Sequence, residues 1–378
     1  MAVQRVKRRR ANAAVAAADN RRPERTTSPP PPTSLNGVAM PDLAVAGLRD
    51  ALRHYRENRI DDAAEACERL LALDPRQTQA LMLLGLIRAG QGNVVAAEAL
   101  FLQLLAIVPG DALAMHNLAK LRQRCGDDLA AIPLFRQALE LRPDFAPTWN
   151  DLGLSLHSVG RKTEALAAFA RATAVEPRYA IAHYNRGTVF TELELWADAR
   201  REFESAVALD SGMQDGWYEL GVACLHLKAH ADAEAALRTV LDREPGHLDA
   251  LDKLASLLER SDRADAALPL RREWVRRNGV RVDPCRGDRQ ARVLLLGAAG
   301  PYNLPAQKLL DRNRFESVVL YLPPLPETLD LGYIDPLARD CDIVFNAVAN
   351  PDHAVALAPQ IDAIGRMLGR PLLNPPAK

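Results

Sequence analysis

The chain has 378 residues, 48% of them hydrophobic, and 48 basic residues balance 48 acidic ones, which is enough for two or three well-packed domains. The charge is uneven: residues 1–37 hold eight Lys and Arg against Asp19 and Glu24, a net of +6, so the remainder carries −6 and offers nucleic acid no bulk attraction. No apolar run reaches the roughly 20 residues of a membrane span, and five scattered cysteines without a CxxC pair argue for a reduced, cytoplasmic setting.

In chain order, residues 1–40 come first. They contain "RVKRRR", then "ANAAVAAAD", which is too short and too weakly apolar for a secretory core, then "TTSPPPPTS". This composition predicts a disordered basic, Pro-rich tail. Only seven basic residues are Lys and 41 are Arg, which with the heavy Ala content indicates GC-rich, bacterial coding.

From about residue 41 the sequence repeats. Pro75, Pro109, Pro143, Pro177 and Pro245 fall on one 34-residue grid, with Ser211 in the single gap. Small residues recur ten positions later (Gly85, Ala119, Gly153, Gly187, Gly221, Ala255). A second small column runs Ala63, Ala97, Ala131, Ala165, Ala199, Ala233, Ala267, and four residues beyond it stand Phe101, Phe135, Phe169, Phe203 and Leu237. Each unit reads as two amphipathic helices, such as "PTWNDLGLSLHSVG" and "KTEALAAFARATAVE". Gly inside a helix costs about 0.5–1 kcal/mol against Ala, so its recurrence predicts a close helix crossing, here at Gly153 and Ala165. One such unit cannot bury its apolar face alone; stacking supplies the core.

These columns, with "WNDLGLSLHSVGRKTEALAAFARA" as the best example, resemble tetratricopeptide repeats over seven units: 44–77, 78–111, 112–145, 146–179, 180–213, 214–247 and 248–281. The first lacks the Gly and the last has Arg271 where Phe belongs, as expected of capping units. The resemblance implies a mostly α fold, a helix-turn-helix solenoid over 41–281, that binds a peptide or protein partner along the concave face lined by each first helix. Positions 2, 5, 9 and 12 of a unit form one stripe at helical spacing. Position 5 supplies Met82, His116, Asn150, Tyr184, Tyr218 and Asp252; position 6 supplies Leu83, Asn117, Asp151, Asn185, Glu219 and Lys253. The expected binding residues are therefore His116, Asn117, Asn150, Asp151, Tyr184, Asn185, Tyr218 and Glu219. Asn117 and Asn185 resemble the asparagine ladder with which some arrays grip a peptide backbone; Asp151, Glu219 and Lys253 depart from it. "CLHLKAH" sets Cys224, His226 and His230 close together, but a metal needs three aimed ligands and solvated histidines are the reading here.

After "NGVRVDPCRGDRQ" the period vanishes. "ARVLLLGAAG" reads as a buried parallel strand, "PAQKLLDR" as a helix, "ESVVLYLP" and "CDIVFNAVAN" as strands, "HAVALAPQIDAIGRML" as a helix flawed by Pro359, and "RPLLN" as a last strand. The alternation predicts a small Rossmann-like α/β domain over 282–378. "GAAGPYN" matches neither phosphate-binding glycine motif. The order of elements, with "FNAV" and "NPPAK", resembles the small domain that precedes the catalytic part of ATP-grasp ligases. That resemblance implies that "PLLNPPAK" leads into a further segment bearing the ATP and magnesium site, so no catalytic residue, cofactor or metal is assigned within this chain. Gly297, Gly300, Asn303 and Asn346, at strand C-terminal ends, are the candidates for a ligand loop. Two function classes follow: a partner-binding scaffold with no nucleic-acid or membrane partner, or an enzyme. The enzyme would be an ATP-dependent ligase if the chain continues, or a repeat-linked glycosyltransferase, for which the C-terminal part is too short.

Overall fold

The computed structural model describes residues 42–278, 280–283, 291–298, 315–322, 341–348, 351–369 and 372–373. The tail at 1–40, the helix expected over "PAQKLLDR", and Gly300, Asn303 and the end from Asn374 lie outside the described residues. By compactness the chain divides into two units, one ending at Leu195 and the other beginning at Trp196.

The first unit contains α1 (Asp42–Arg56), α2 (Ile60–Leu73), α3 (Thr78–Gly90), α4 (Val94–Ile107), α5 (Ala112–Arg124), α6 (Asp128–Leu141), α7 (Ala146–Ser158), α8 (Lys162–Val175) and α9 (Ala180–Glu192). The chain leaves each first helix through one left-handed residue: Asn58, Gly92, Gly126, Gly160 and Glu194 here, Lys228 and Asp262 in the second unit. The following N–H then reaches back five residues, as from Arg161 to the Leu156 carbonyl at 2.8 Å. Side chains start several helices: Asp111 accepts from the N–H groups of Leu113 and Ala114, and Gln77 from those of Gln79 and Ala80.

The glycine column makes room for the aromatic column. A methyl placed on Gly153 would stand 2.6 Å from the Phe169 ring, and one on Gly85 2.6 Å from that of Phe101. The close crossing expected at Gly153 and Ala165 therefore takes the form, at Gly153, of a ring of the paired helix set against the backbone. Phe101, Phe135 and Phe169 are buried completely or nearly so, each contributing about 1.5–3 kcal/mol of apolar burial. Trp149 closes the crossing by donating its indole N–H to the Pro143 carbonyl at 2.9 Å.

The second unit begins with α10 (Trp196–Leu209), α11 (Gln214–His226), α12 (His230–Arg243), α13 (Leu248–Arg260) and α14 (Ala264–Asn278). The same devices recur: Leu237 fills the place against Gly221, and Trp217 donates to the Ser211 carbonyl at 3.0 Å. In the seventh repeat Arg271 stands in the aromatic column and is only 3% exposed.

A five-stranded sheet follows, built from β1 (Val280–Asp283), β2 (Ala291–Ala298), β3 (Phe315–Leu322), β4 (Ile343–Asn346) and β5 (Leu372–Leu373), in the order β1-β3-β2-β4-β5. β1 runs antiparallel to β3, and the other pairings are parallel. Sequence alone did not single out "VRVD" as a strand, because four residues beside "NG" carry too little pattern. β2 alternates its side chains between two buried faces, which is why it is apolar throughout. Leu294, Leu296, Val318, Leu320 and Val344 pack with Leu357, Ile361 and Ile364 of α15 (Pro351–Leu368). Val293, Leu295, Val319 and Ala347 form the other face. α15 runs on through Pro359, whose exposed position lets the missing hydrogen bond fall on the solvent side. No described helix is long and apolar enough to cross a membrane.

Candidate functional site

The first-helix face is where sequence placed the partner-binding residues. In the first unit these residues turn inward and bond to one another between repeats. His116 on α5 and Asp151 on α7 are 6% and 5% exposed. The His116 Nδ1 lies 2.9 Å from Thr148 Oγ1, and its Nε2 lies 3.8 Å from Asp151 Oδ2. Lys120 Nζ donates to the same carboxylate at 3.2 Å. Asn185 donates to Asn150 Oδ1 at 2.9 Å, and Asn150 Nδ2 reaches Asp151 Oδ1 at 3.4 Å. Asn117 donates to the Met82 sulfur at 3.3 Å. A rule emerges: in the first unit position 6 of one repeat meets position 5 of the repeat before it, through a hydrogen bond for Asn117 with Met82 and Asn185 with Asn150 and by proximity at 3.8 Å for Asp151 with His116.

The electrostatics follow from burial. His116 lies against the rings of Phe135 and Phe145. Desolvation holds its imidazole down at about 4, overriding the pull of Asp151, with Lys120 and Arg142 adding to the depression. Burial, and then the Asp151 and Glu176 charges, push the Tyr179 phenol up. His116 is therefore neutral near pH 7, and the cluster is a satisfied polar core rather than an acid–base centre open to substrate. Sequence reading missed Lys120, Thr148 and Tyr179 as members of this cluster. Lys120, four residues after His116 on one helix face, was its one legible signal.

Tyr184 and Asn185 are half-buried on α9, where the Tyr184 carbonyl accepts from Thr188 Oγ1 at 3.1 Å. In the second unit Tyr218 stacks on His247 with ring centres 5.0 Å apart. Beside it Glu219 is half-buried, and desolvation, reinforced by Asp215 and opposed by Lys253, pushes its carboxyl up to about 7. Of the "CLHLKAH" cluster, Cys224 is buried and His226 lies flat on the Trp196 ring at 3.6 Å. Among the described residues no group of three or more His, Cys, Asp or Glu could hold a metal ion.

On the sheet, Gly297 is the penultimate residue of β2, one beyond Leu296, the register partner of Asn346 on β4. Asn346 is 2% exposed, and its Oδ1 accepts from the Val348 N–H at 3.1 Å. Two of the four loop candidates are thus brought side by side.

A tetratricopeptide repeat family model matches residues 48–112, 117–174, 150–213 and 184–247. Among solved structures, the C-terminal part of a TPR repeat-containing protein from Cytophaga hutchinsonii is 12% identical, with a TM-score of 0.52, covering 61% of this chain and 94% of that one. The pilF protein of Pseudomonas aeruginosa is 21% identical, with a TM-score of 0.47 and coverage of 53% and 90%. YrrB, described as a TPR protein with an unusual peptide-binding site, is 20% identical, with a TM-score of 0.44 and coverage of 50% and 97%. At such identities likeness speaks for the fold alone, and no curated protein matches the sequence. The family match takes in more than half of the chain, and the helix pairs and glycine–ring contacts agree with it: this chain belongs to the tetratricopeptide repeat family.

Proposed function

We propose that the chain is a scaffold that holds a peptide or protein partner on the first-helix face of its repeats. The observation that carries this reading is that each unit has a half-buried tyrosine at position 5 of a repeat, Tyr184 in the first and Tyr218 in the second. Rings that keep an accessible edge give contact area at small entropic cost. The network around His116, Asn150 and Asp151 fixes the stacking of repeats, so partner contact falls to the tyrosines and to side chains such as Lys120, which stays 51% exposed. A pull-down on the immobilised full chain tests this. Tyr184→Ala and Tyr218→Ala are expected to lower partner retention at least tenfold while the melting temperature holds; undiminished retention by both would remove the reading. A cytoplasmic setting belongs to the same proposal and suits Cys67, Cys125 and Cys224, which form no disulfide.

A second reading concerns the sheet. Strand order β3-β2-β4-β5 reverses direction of build between β2 and β4, and parallel sheets take ligands outside the carboxyl ends of strands at that point. Gly297 and Asn346 stand there, which supports a Rossmann-like, pre-ATP-grasp-type domain with a small-molecule edge. No catalytic group, cofactor or metal is proposed for this sheet.

A further inference from the structure

Arg271 stands where the repeat pattern meets the sheet. Its column is built for a ring, and the guanidinium is stable there only because carboxylates enclose it. It donates to both carboxylate oxygens of Glu259 at 2.9 Å, to Asp252 Oδ1 at 2.6 Å and to Ser256 Oγ at 2.8 Å. Asp252, Ser256 and Glu259 are positions 5, 9 and 12 of the seventh repeat. The stripe that faces outward in sequence terms is, in this repeat, committed to α14.

The same flank of α14 also reaches the sheet. One turn beyond Arg271, Trp274 meets Tyr321 of β3 edge-on, with ring centres 4.7 Å apart. Tyr321 is the register partner of Gly297 on β2. The end of α14 passes into β1, which pairs with β3 from Val280↔Leu320 to Asp283↔Ser317. A short path therefore leads from the seventh repeat's stripe to Arg271, along one turn of α14 to Trp274, and by its ring contact to Tyr321 near the carboxyl edge of the sheet.

We propose that α14 is a coupling element, with Arg271 as its latch. The order of the seventh repeat's first-helix face and the order of the sheet at Gly297 stand or fall together. A buried cation that loses its counter-charges cannot stay in an apolar column, so opening the latch displaces α14 and with it the Trp274 ring. Ordering of the Gly297 edge holds Tyr321, Trp274 and the latch in place, and the coupling runs both ways.

Hydrogen–deuterium exchange on the full chain tests the proposal. Glu259→Gln combined with Asp252→Asn, which strips the counter-charges from Arg271, is expected to speed exchange at least tenfold both in α13–α14 and in β3, leaving α1 to α9 unchanged. Loosening confined to α13–α14, with β3 at its original rate, would overturn it. Trp274→Ala leaves the ionic cage intact and serves if the first variant fails to fold. It is expected to speed exchange in β3 and in α13 together; faster exchange in β3 with α13 unchanged would equally end the proposal. Neither result depends on partner retention, so this inference and the scaffold reading fail separately.

Discussion

Asp151 and Glu219 hold the same place, position 6, in the fourth and sixth repeats, yet their surroundings are opposite. Asp151 is given Lys120 at 3.2 Å and Asn150 at 3.4 Å, with His116 at 3.8 Å. Glu219 is desolvated beside Asp215, with Lys253 acting on it only through space, and its carboxyl rises to about 7. A repeat fixes where a side chain stands; whether a charge there is supported depends on which residue the neighbouring repeat supplies. Asp151 is supported by its neighbours, and Glu219 is left in tension.

The largest break in this comparison is expected at the glycine column, a device the two units share with unequal tightness. Gly153→Leu drives a side chain into Phe169 and should cost about 3 kcal/mol in urea unfolding. A methyl on Gly221 stands 3.0 Å from Leu237, against 2.6 Å at Gly153 from Phe169. Gly221→Ala should therefore come out within about 0.5 kcal/mol of neutral, as gained helix propensity offsets the contact, whereas Gly153→Ala destabilises. Equal costs for the two alanines would refute the ring-on-backbone account.

Next in size is Glu192. Burial pushes its carboxyl up, but hydrogen bonds from His157 at 3.0 Å and Lys162 at 2.8 Å prevail and hold it at about 2. A depressed acid stabilises above its unfolded range and loses that contribution as pH falls through the folded value. Glu192→Gln should cost about 2 kcal/mol at pH 7 and nothing near pH 2. Glu219 runs the other way, since a raised acid favours folding below its unfolded value and loses that favour as pH climbs through about 7. Glu219→Gln should leave stability at pH 4 unchanged and raise it by about 1 kcal/mol at pH 8; thermal melts across that range check both signs.

The smallest effect concerns the turns. Gly92, Gly126 and Gly160 take the left-handed turn in the first unit, while the second unit uses Lys228 and Asp262. Lys228→Gly should stabilise by about 0.5–1 kcal/mol, and Gly160→Ala, which meets no atom within 4 Å, should cost a similar amount from backbone strain alone. A loss of stability in Lys228→Gly would show that the lysine side chain matters more than its backbone angle.

Much of this was legible beforehand. The 34-residue grid located the helix pairs, and the small and aromatic columns named both sides of each crossing, because packing repeats whenever the backbone does. The anomaly at Arg271 was visible too. Its cage was not, since Asp252, Ser256 and Glu259 come to it from the paired helix and only folding sets them around one cation. The polar residues at positions 5 and 6 read as surface by composition. In the first unit they are buried or half-buried because position 6 meets position 5 of the repeat before it, a relation that no single amphipathic helix displays. Strand β1 escaped notice for want of length.

The contacts between positions 5 and 6 also bear on how such an array can be rearranged. Met82 with Asn117, His116 with Asp151, and Asn150 with Asn185 are chemically distinct seams. Excising residues 112–145 would join Met82 to Asp151, setting a carboxylate against a thioether that cannot donate to it. Excising residues 146–179 would join His116 to Asn185, a pair able to hydrogen-bond. Two deletions of equal length are thus unequal in consequence. The order of these repeats is a lock with matched wards, and it admits some shuffles of its modules while refusing others.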